Sequence, residues 1–252
     1  MDEKTTNLGN KPVVTTLADT QRVVLTDSSG ALNSITGDNL RSYIQNGINP
    51  NLMYDNILIM YYDSDDWARM VHLDAWPALQ EKGKLAIGVV ITEGDKKLVV
   101  ATQGTQLYWS SAQVTAGGKM TTSRREAIAD WAGEANTAAQ ITHSECADVD
   151  YAPGYCANYS RVNSAGYGLK AGKWWLPSSG QLDMIWRHIN GLNYALSLIN
   201  DADQIPWEWH WSSTEDSATY AWGQYFVSSY GNLSYNGKAT GKYRVRPVSA
   251  YQ

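Results

Sequence analysis

The side chains that could carry out chemistry are few and scattered along the chain. Cys146 and Cys156 stand with nine residues between them. A bridge between them would close a short loop and stabilise by ~2–4 kcal/mol in an oxidising compartment. Two buried free thiols are the equal alternative, and no second Cys/His pair follows at zinc-ligand spacing. Asp63-Ser64-Asp65-Asp66 opens like a calcium loop, but Trp67 stands where a third oxygen ligand is needed and no glycine follows it, which leaves an exposed acidic turn. Gly117-Gly118-Lys119 lacks the upstream glycine and the following hydroxyl residue of a phosphate loop. Neither a GxSxG nor an HExxH pattern occurs. His72, His143, His188 and His210 are dispersed, and each reads as a surface or hydrogen-bonded residue rather than a ligand or base. No pair of carboxylates is nominated locally. The expectation is a non-catalytic protein with no metal and no cofactor.

A different chemistry, recognition by contact, concentrates near the C-terminus. Residues 207–252 hold six of the sixteen tyrosines, and 228–236 run Ser-Ser-Tyr-Gly-Asn-Leu-Ser-Tyr-Asn. Tyrosine offers large contact area at the entropic cost of two rotors, while Ser, Asn and Gly adapt. A turn-rich hairpin also uses Ser, Asn and Gly, but turns do not account for the tyrosines. If Trp222 and Phe226 point into the core, strand alternation sends Gly223 and Tyr225 to the other side. Alternation and turns together place an outward face on Glu208, His210, Tyr220, Gly223, Tyr225, Ser228, Tyr230, Asn232, Ser234, Tyr235 and Asn236, with Trp211, Trp222, Phe226 and Val245 as scaffold.

The elements that must hold this face follow from pattern. Runs at 57–62 and 85–91 read as buried strands, and 97–101 pairs with the latter across Glu93-Gly94-Asp95. The middle of the chain is helical. Ser123 with Glu126, and Ser178 with Gln181, form capping boxes. Leu182, Ile185, Trp186 and Ile189 form one apolar stripe, Asn190-Gly191 stops that helix, and Leu192, Ala195, Leu196 and Ile199 mark another. From Trp207 the chain alternates again as strand and turn, through 222–227 to a closing strand at 242–246. Strands, then helices, then strands argue an α+β domain whose two ends meet in one sheet. Residues 1–54 carry too little apolar material to fold alone. They read as an attachment or oligomerisation arm, with a strand at 22–26, a turn at 27–30, a helix at about 38–45 and a linker at 49–51, ahead of a domain at 55–252.

Composition limits the partners. The formal charge of −5 disfavours nucleic acid, which needs concentrated Lys and Arg. No apolar run reaches the ~20 residues that span a bilayer. Met1-Asp2-Glu3-Lys4 lacks the layout of a secretory signal, so the expectation is either synthesis in a cytoplasm or a mature chain whose signal has been removed. Eleven Trp and sixteen Tyr stand against one Phe, a bias toward aromatics with a polar atom that suit half-wet surfaces. For the tryptophans, simple replacement of Phe in the core is an equal reading.

Several ordered motifs carry a resemblance. Ala171-Gly172-Lys173-Trp174-Trp175-Leu176-Pro177-Ser178 opens a helix, Trp211-Ser212-Ser213-Thr214-Glu215 and Ala221-Trp222 follow, and Arg244-Val245-Arg246-Pro247-Val248 comes last. Over roughly residues 55–252 this series resembles the C-type-lectin-like domains shared by formylglycine-generating enzymes, bacterial surface proteins and the variable proteins of diversity-generating retroelements. The segments 131–138 and 155–159 are similar to the middle of the bacterial members. The retroelement variable proteins look nearest, and their diversified segment is C-terminal. The resemblance makes 211–215, Trp222, Phe226, Lys238 and 244–247 fixed residues and the Ser/Tyr/Asn/Gly run variable. It implies binding to a cell-surface protein or glycan. The EPN, QPD and WND tripeptides of calcium-dependent sugar lectins are absent, and the two cysteines precede the Leu-Pro-Ser helix instead of lying near the C-terminus as in the oxidases. The arm looks similar to phage tail-fibre segments, which implies a virion tail tip, with a bacterial surface adhesin as the alternative home. A homo-oligomer is expected, a trimer more than a dimer, because a single face of ~800 Å² gains most from several copies.

Overall fold

The computed structural model describes residues 22–26, 32–36, 56–227 and 231–250. The chain divides into two compact units, Met1–Tyr54 and Asp55–Gln252. In the first, β1 (Arg22–Thr26) pairs antiparallel with β2 (Leu32–Thr36). The strand at 22–26 is therefore present, with a partner that pattern reading passes over. The turn at 27–30, the helix at 38–45 and the linker at 49–51 lie outside the described residues.

The second unit is α+β. It opens with β3 (Ile57–Tyr62), β4 (Ala68–Val71), α1 (Trp76–Glu81), β5 (Ala86–Glu93), β6 (Lys96–Ala101) and β7 (Thr105–Leu107). The continuous apolar run of β5 is buried from Ala86 to Ile91, as a strand covered on both faces requires. The helical middle comprises α2 (Arg124–Ala129), α3 (Gly133–Gln140), α4 (Ser144–Ala147), α5 (Ala152–Asn158), α6 (Ser179–Arg187) and α7 (Ile189–Ser197). A small hairpin of β8 (Arg161–Val162) and β9 (Gly168–Leu169) interrupts it. The chain then returns to strands in β10 (Trp209–Glu215), β11 (Tyr220–Phe226), β12 (Gly231–Gly237), β13 (Tyr243–Val245) and β14 (Val248–Ser249).

Two five-stranded sheets result, ordered β14-β6-β5-β3-β4 and β12-β11-β10-β13-β7. Each ties the C-terminal strands to N-terminal ones: Val248 lies opposite Val100, and Tyr243 opposite Leu107. The ends of the domain meet, but in two sheets instead of the single one that the element order suggests. One core cluster gathers Met60, Ile87, Val90, Val99 and Trp174, and another gathers Trp109, Cys146, Cys156, Leu176, Trp211 and Val245.

Local signals behave unevenly. At α6 the Gln181 carboxamide accepts from the Ser178 backbone N–H at 3.0 Å, completing the capping box. At α2 only half of the box forms. Ser123 accepts from the Glu126 N–H, but the Glu126 carboxylate accepts from the Thr121 hydroxyl instead of reaching back. Asn190-Gly191 does not stop α6. The break falls at His188, whose N–H still donates to Met184 and Ile185, and Gly191 is buried within α7 with no left-handed backbone to supply.

Candidate ligand-binding face

The second sheet sorts its residues by register. Trp209 lies opposite Tyr225, Trp211 opposite Gly223, Tyr225 opposite Asn232, Gly223 opposite Ser234, and Ala221 opposite Asn236. Because opposed residues share a side and neighbours alternate, Trp209, Trp211, Gly223, Tyr225, Asn232, Ser234 and Asn236 form one surface. The other carries His210, Trp222, Gln224, Phe226 and Leu233.

On the first surface the outer end is an aromatic row. Trp209 meets Tyr225 at 5.4 Å and Tyr243 at 6.1 Å, and Tyr243 in turn packs edge-on against Trp211 at 4.6 Å. The Tyr243 hydroxyl donates to the Asn236 side-chain oxygen at 3.2 Å. Tyr225, Ser234 and Asn236 are half-buried and Asn232 is exposed, so this part of the surface offers ring faces and amides together. Glu208 forms a two-pronged pair with Arg244, which lies opposite His210, at 2.8 and 3.1 Å, and the guanidinium holds its carboxyl below the ordinary range.

Two residues expected on the outward face are not there. His210 is buried, stacked on Phe226 at a centroid distance of 4.2 Å, and its Nδ1 donates to the Glu208 carbonyl at 3.0 Å. It has the parity of Phe226 rather than of Tyr225. Burial drives its pKa down to about 3, with Arg246 and Arg244 adding to the effect, so the ring is neutral at physiological pH. Gly223 has the anticipated parity but is buried. A Cβ there would come 2.9 Å from the His210 carbonyl oxygen, and the Asn236 amide already covers the position. Its absent side chain serves strand packing, not contact with a ligand.

Tyr220 and Tyr235 are exposed, at 40% and 52%, but they belong to the Trp222 side of the sheet. They meet each other at 5.3 Å, and Tyr235 stands edge-on to Trp222 at 5.9 Å. The eleven candidates thus fall into a row built on Tyr225, Asn232, Ser234 and Asn236, a tyrosine pair on the reverse side, Glu208 with the strand parity of Phe226, and two buried residues. Ser228 and Tyr230 lie outside the described residues. Trp209 and Tyr243 were missed, because Trp209 has the strand parity of Trp211, which pattern reading places in the scaffold.

Behind this surface lies a buried polar lattice. Glu215 and Lys238 form a fully buried ion pair at 2.6 Å. The carboxylate also accepts from the backbone N–H groups of Ala116 and Gly118, and the ammonium donates to the Val114 carbonyl and lies 4.4 Å from the Trp109 ring centroid. Burial pulls the Lys238 pKa down while Glu215 opposes that shift. Thr214 and Asn136 both donate to Asp130, Ser179 and Ser212 join at 2.9 Å, and Gln140 donates to the Ser213 carbonyl. Every residue of Trp211–Glu215 is therefore buried, and each of the four polar ones has a partner in this lattice.

A cleft of about 320 Å³ opens where His210, Arg244 and Arg246 converge. The buried Arg246 guanidinium donates to the carbonyls of Ala101, Asp203 and Gln204, and burial lowers its pKa to about 10. Both terminal nitrogens donate to backbone, so it ties the C-terminal segment to the loop at 203–204. Cys146 and Cys156 are buried free thiols in the core, and burial pushes Cys146 up to about 12 and Cys156 well above its ordinary value. Among the described residues no cluster of His, Cys, Asp or Glu could hold a metal ion, and no helix is long and apolar enough to cross a membrane.

No protein-family model and no curated protein matches the chain. Among solved structures, a fimbrial protein from Bacteroides ovatus is similar at 16% identity and a TM-score of 0.46, over 61% of this chain and 35% of that one. The chain spans about a third of that protein's length, and a likeness this partial carries no inference about fold or function.

Proposed function

We propose that the protein is a non-catalytic binding protein of C-type-lectin-like fold, of the kind diversified by retroelements, which recognises a protein or glycan on a cell surface. A phage tail tip is the favoured setting and a bacterial adhesin the alternative. The observation that carries this reading is the division of the C-terminal segment by burial. The residues that the resemblance makes fixed (Trp211–Glu215, Trp222, Phe226, Lys238, Val245 and Arg246) are buried, Arg244 being half-buried in its pair with Glu208. Within the candidate variable run, Asn232, Ser234, Tyr235 and Asn236 are exposed or half-buried, and Leu233 is buried. A surface that must change sequence without unfolding needs that division. The buried thiols support a non-catalytic role, because a nucleophilic cysteine needs its thiolate within reach of pH 7. Residues 1–54 serve as the arm that assembles or attaches the binding domains, in a trimer by preference.

The test is binding of labelled protein to a panel of whole bacterial cells. Tyr225→Ala and Tyr230→Ala should each weaken binding by ~2 kcal/mol or more, as truncated aromatic hot spots do, with the fold retained. Trp222→Ala should unfold the domain through a core loss of ~3–5 kcal/mol. Tyrosine variants that melt early beside a folded Trp222 variant would reverse the reading of the sheet. A near-repeat of the codons for 207–247 beside a reverse-transcriptase gene would establish diversification, and its absence from the native locus would remove that part of the proposal.

A further inference from the structure

Far in sequence from the C-terminal face, Trp67 is 76% exposed, more than any other large apolar side chain in the described residues. Tryptophan is highly buried on average, and nothing in its surroundings demands this exposure. Its backbone is pinned: the Trp67 N–H donates to Asp65, and its carbonyl accepts from Arg69 at 3.2 Å, while Asp65 and Arg69 are themselves paired through two hydrogen bonds. Asn163 fastens the preceding strand end by donating to the carbonyls of Tyr62 and Asp63. The ring is therefore presented from a fixed base.

Trp67 lines a cleft of about 400 Å³, within the roughly 300–1,000 Å³ of small-ligand sites. Tyr62, Ala68 and Leu169 supply apolar wall, and Asp66, Lys170 and Lys173 supply the charge. The two lysines come from one tight turn, in which Lys173 N–H donates to the Lys170 carbonyl at 3.1 Å and Gly172 takes a φ of +81°. Neither ammonium has an ion-pair partner among the described residues, whereas the neighbouring Asp63 and Asp65 are taken by Lys84 and Arg69. In a chain of net charge −5, a cleft with two unpaired cations beside one carboxylate is set apart from the general surface.

The geometry points to a second binding site here, which takes an acidic saccharide. A cationic ligand would suit the tryptophan face but would meet the two lysines. A sugar ring lays its C–H face on the indole, its hydroxyls donate to Asp66, and its carboxylate or sulfate pairs with Lys170 and Lys173. This site shares no residue with the C-terminal face and does not depend on the reading given to that face.

The test uses the full chain on an array of hexuronate, sialylated and sulfated oligosaccharides beside neutral ones, with calorimetry on the strongest acidic binder. Binding should be confined to acidic probes and weaken in 0.5 M salt. It should fall at least tenfold in Trp67→Ala and in the Lys170→Ala/Lys173→Ala double variant, and stay unchanged in Tyr225→Ala. Trp67 and both lysines are exposed, so these variants should keep the parent's thermal stability. No bound acidic probe, or equal binding by parent and variants, overturns the proposal. So does a Trp67→Ala variant that binds no saccharide differently but dissociates the oligomer in light scattering, because the cleft would then be filled by a second copy.

Discussion

Strand β10 runs through two environments that differ in kind. Its C-terminal part, Ser212–Glu215, is enclosed in a lattice where each polar side chain has an assigned partner, down to the ion pair of Glu215 with Lys238. Its N-terminal end, Trp209, belongs to a half-open aromatic row with Tyr225 and Tyr243. Hydrogen-bonded buried polar groups favour one arrangement, because a displaced member is left without water or partner, as the Gln140 Oε1 atom already is. Rings at a half-wet surface carry no such obligation. One strand therefore joins a part that resists substitution to a part that tolerates it, and this contrast can be broken at graded cost.

The largest effect belongs to the ion pair. Lys238→Met leaves the Glu215 charge buried with only backbone donors and should cost ~3–5 kcal/mol by chemical denaturation. Adding Glu215→Gln should restore more than half of that loss. A double variant no better than the single one would mean that the two residues are not coupled as the 2.6 Å contact implies.

Gly223 marks the boundary between the two environments. Gly223→Ala sets a methyl 2.9 Å from the His210 carbonyl oxygen within a paired strand, and overpacking of this kind costs up to about 3 kcal/mol. A Gly223→Ala variant with unchanged thermal stability would return Gly223 to the contact surface.

His210 lies behind the row and gives it a pH dependence. Its folded pKa of about 3 lies below the value of about 6.5 for a free imidazole, so the unfolded chain takes up the proton first. Stability is therefore complete above pH ~6.5 and declines as pH falls toward 3, by about 2 kcal/mol between pH 7 and pH 5. Carboxylates paired in the folded state add to the loss only at lower pH. His210→Gln should flatten the slope between pH 7 and 5, and an unchanged slope would place the titrating group elsewhere.

These cases also show what the sequence made legible. The strands at 57–62, 85–91 and 97–101, the Ser178 cap and the return of the C-terminus to the N-terminal sheet follow from periodicity and element order, because each depends on apolar spacing along the chain. The burial of Trp211, Trp222, Phe226 and Val245 followed from the same logic. His210 and Gly223 were misplaced because alternation gives parity without saying which side is covered, and in this sheet both sides are partly covered. The polar lattice was not legible at all. Asp130, Asn136, Gln140 and Lys238 reach Ser213–Glu215 across separations of 23 to 84 residues, and no local pattern announces such contacts.

The smallest effect is the most informative for the binding reading. Asn232 is exposed and Ser234 half-buried, on the side of the sheet that carries Tyr225. Neither side chain makes a hydrogen bond within the described residues. Asn232→Tyr and Ser234→Tyr should therefore shift stability by no more than ~0.5 kcal/mol, the usual result of surface substitution. Ser212→Ala, a smaller change on β10 of the same sheet, deprives Ser179 of its acceptor and should cost ~1–3 kcal/mol. Parallel denaturation of the three variants compares a large replacement in the open row with a single-atom deletion in the closed lattice. If size of replacement governs the outcome, the tyrosine variants will be the less stable. If position governs it, Ser212→Ala will be, and β12 can change sequence without endangering the fold.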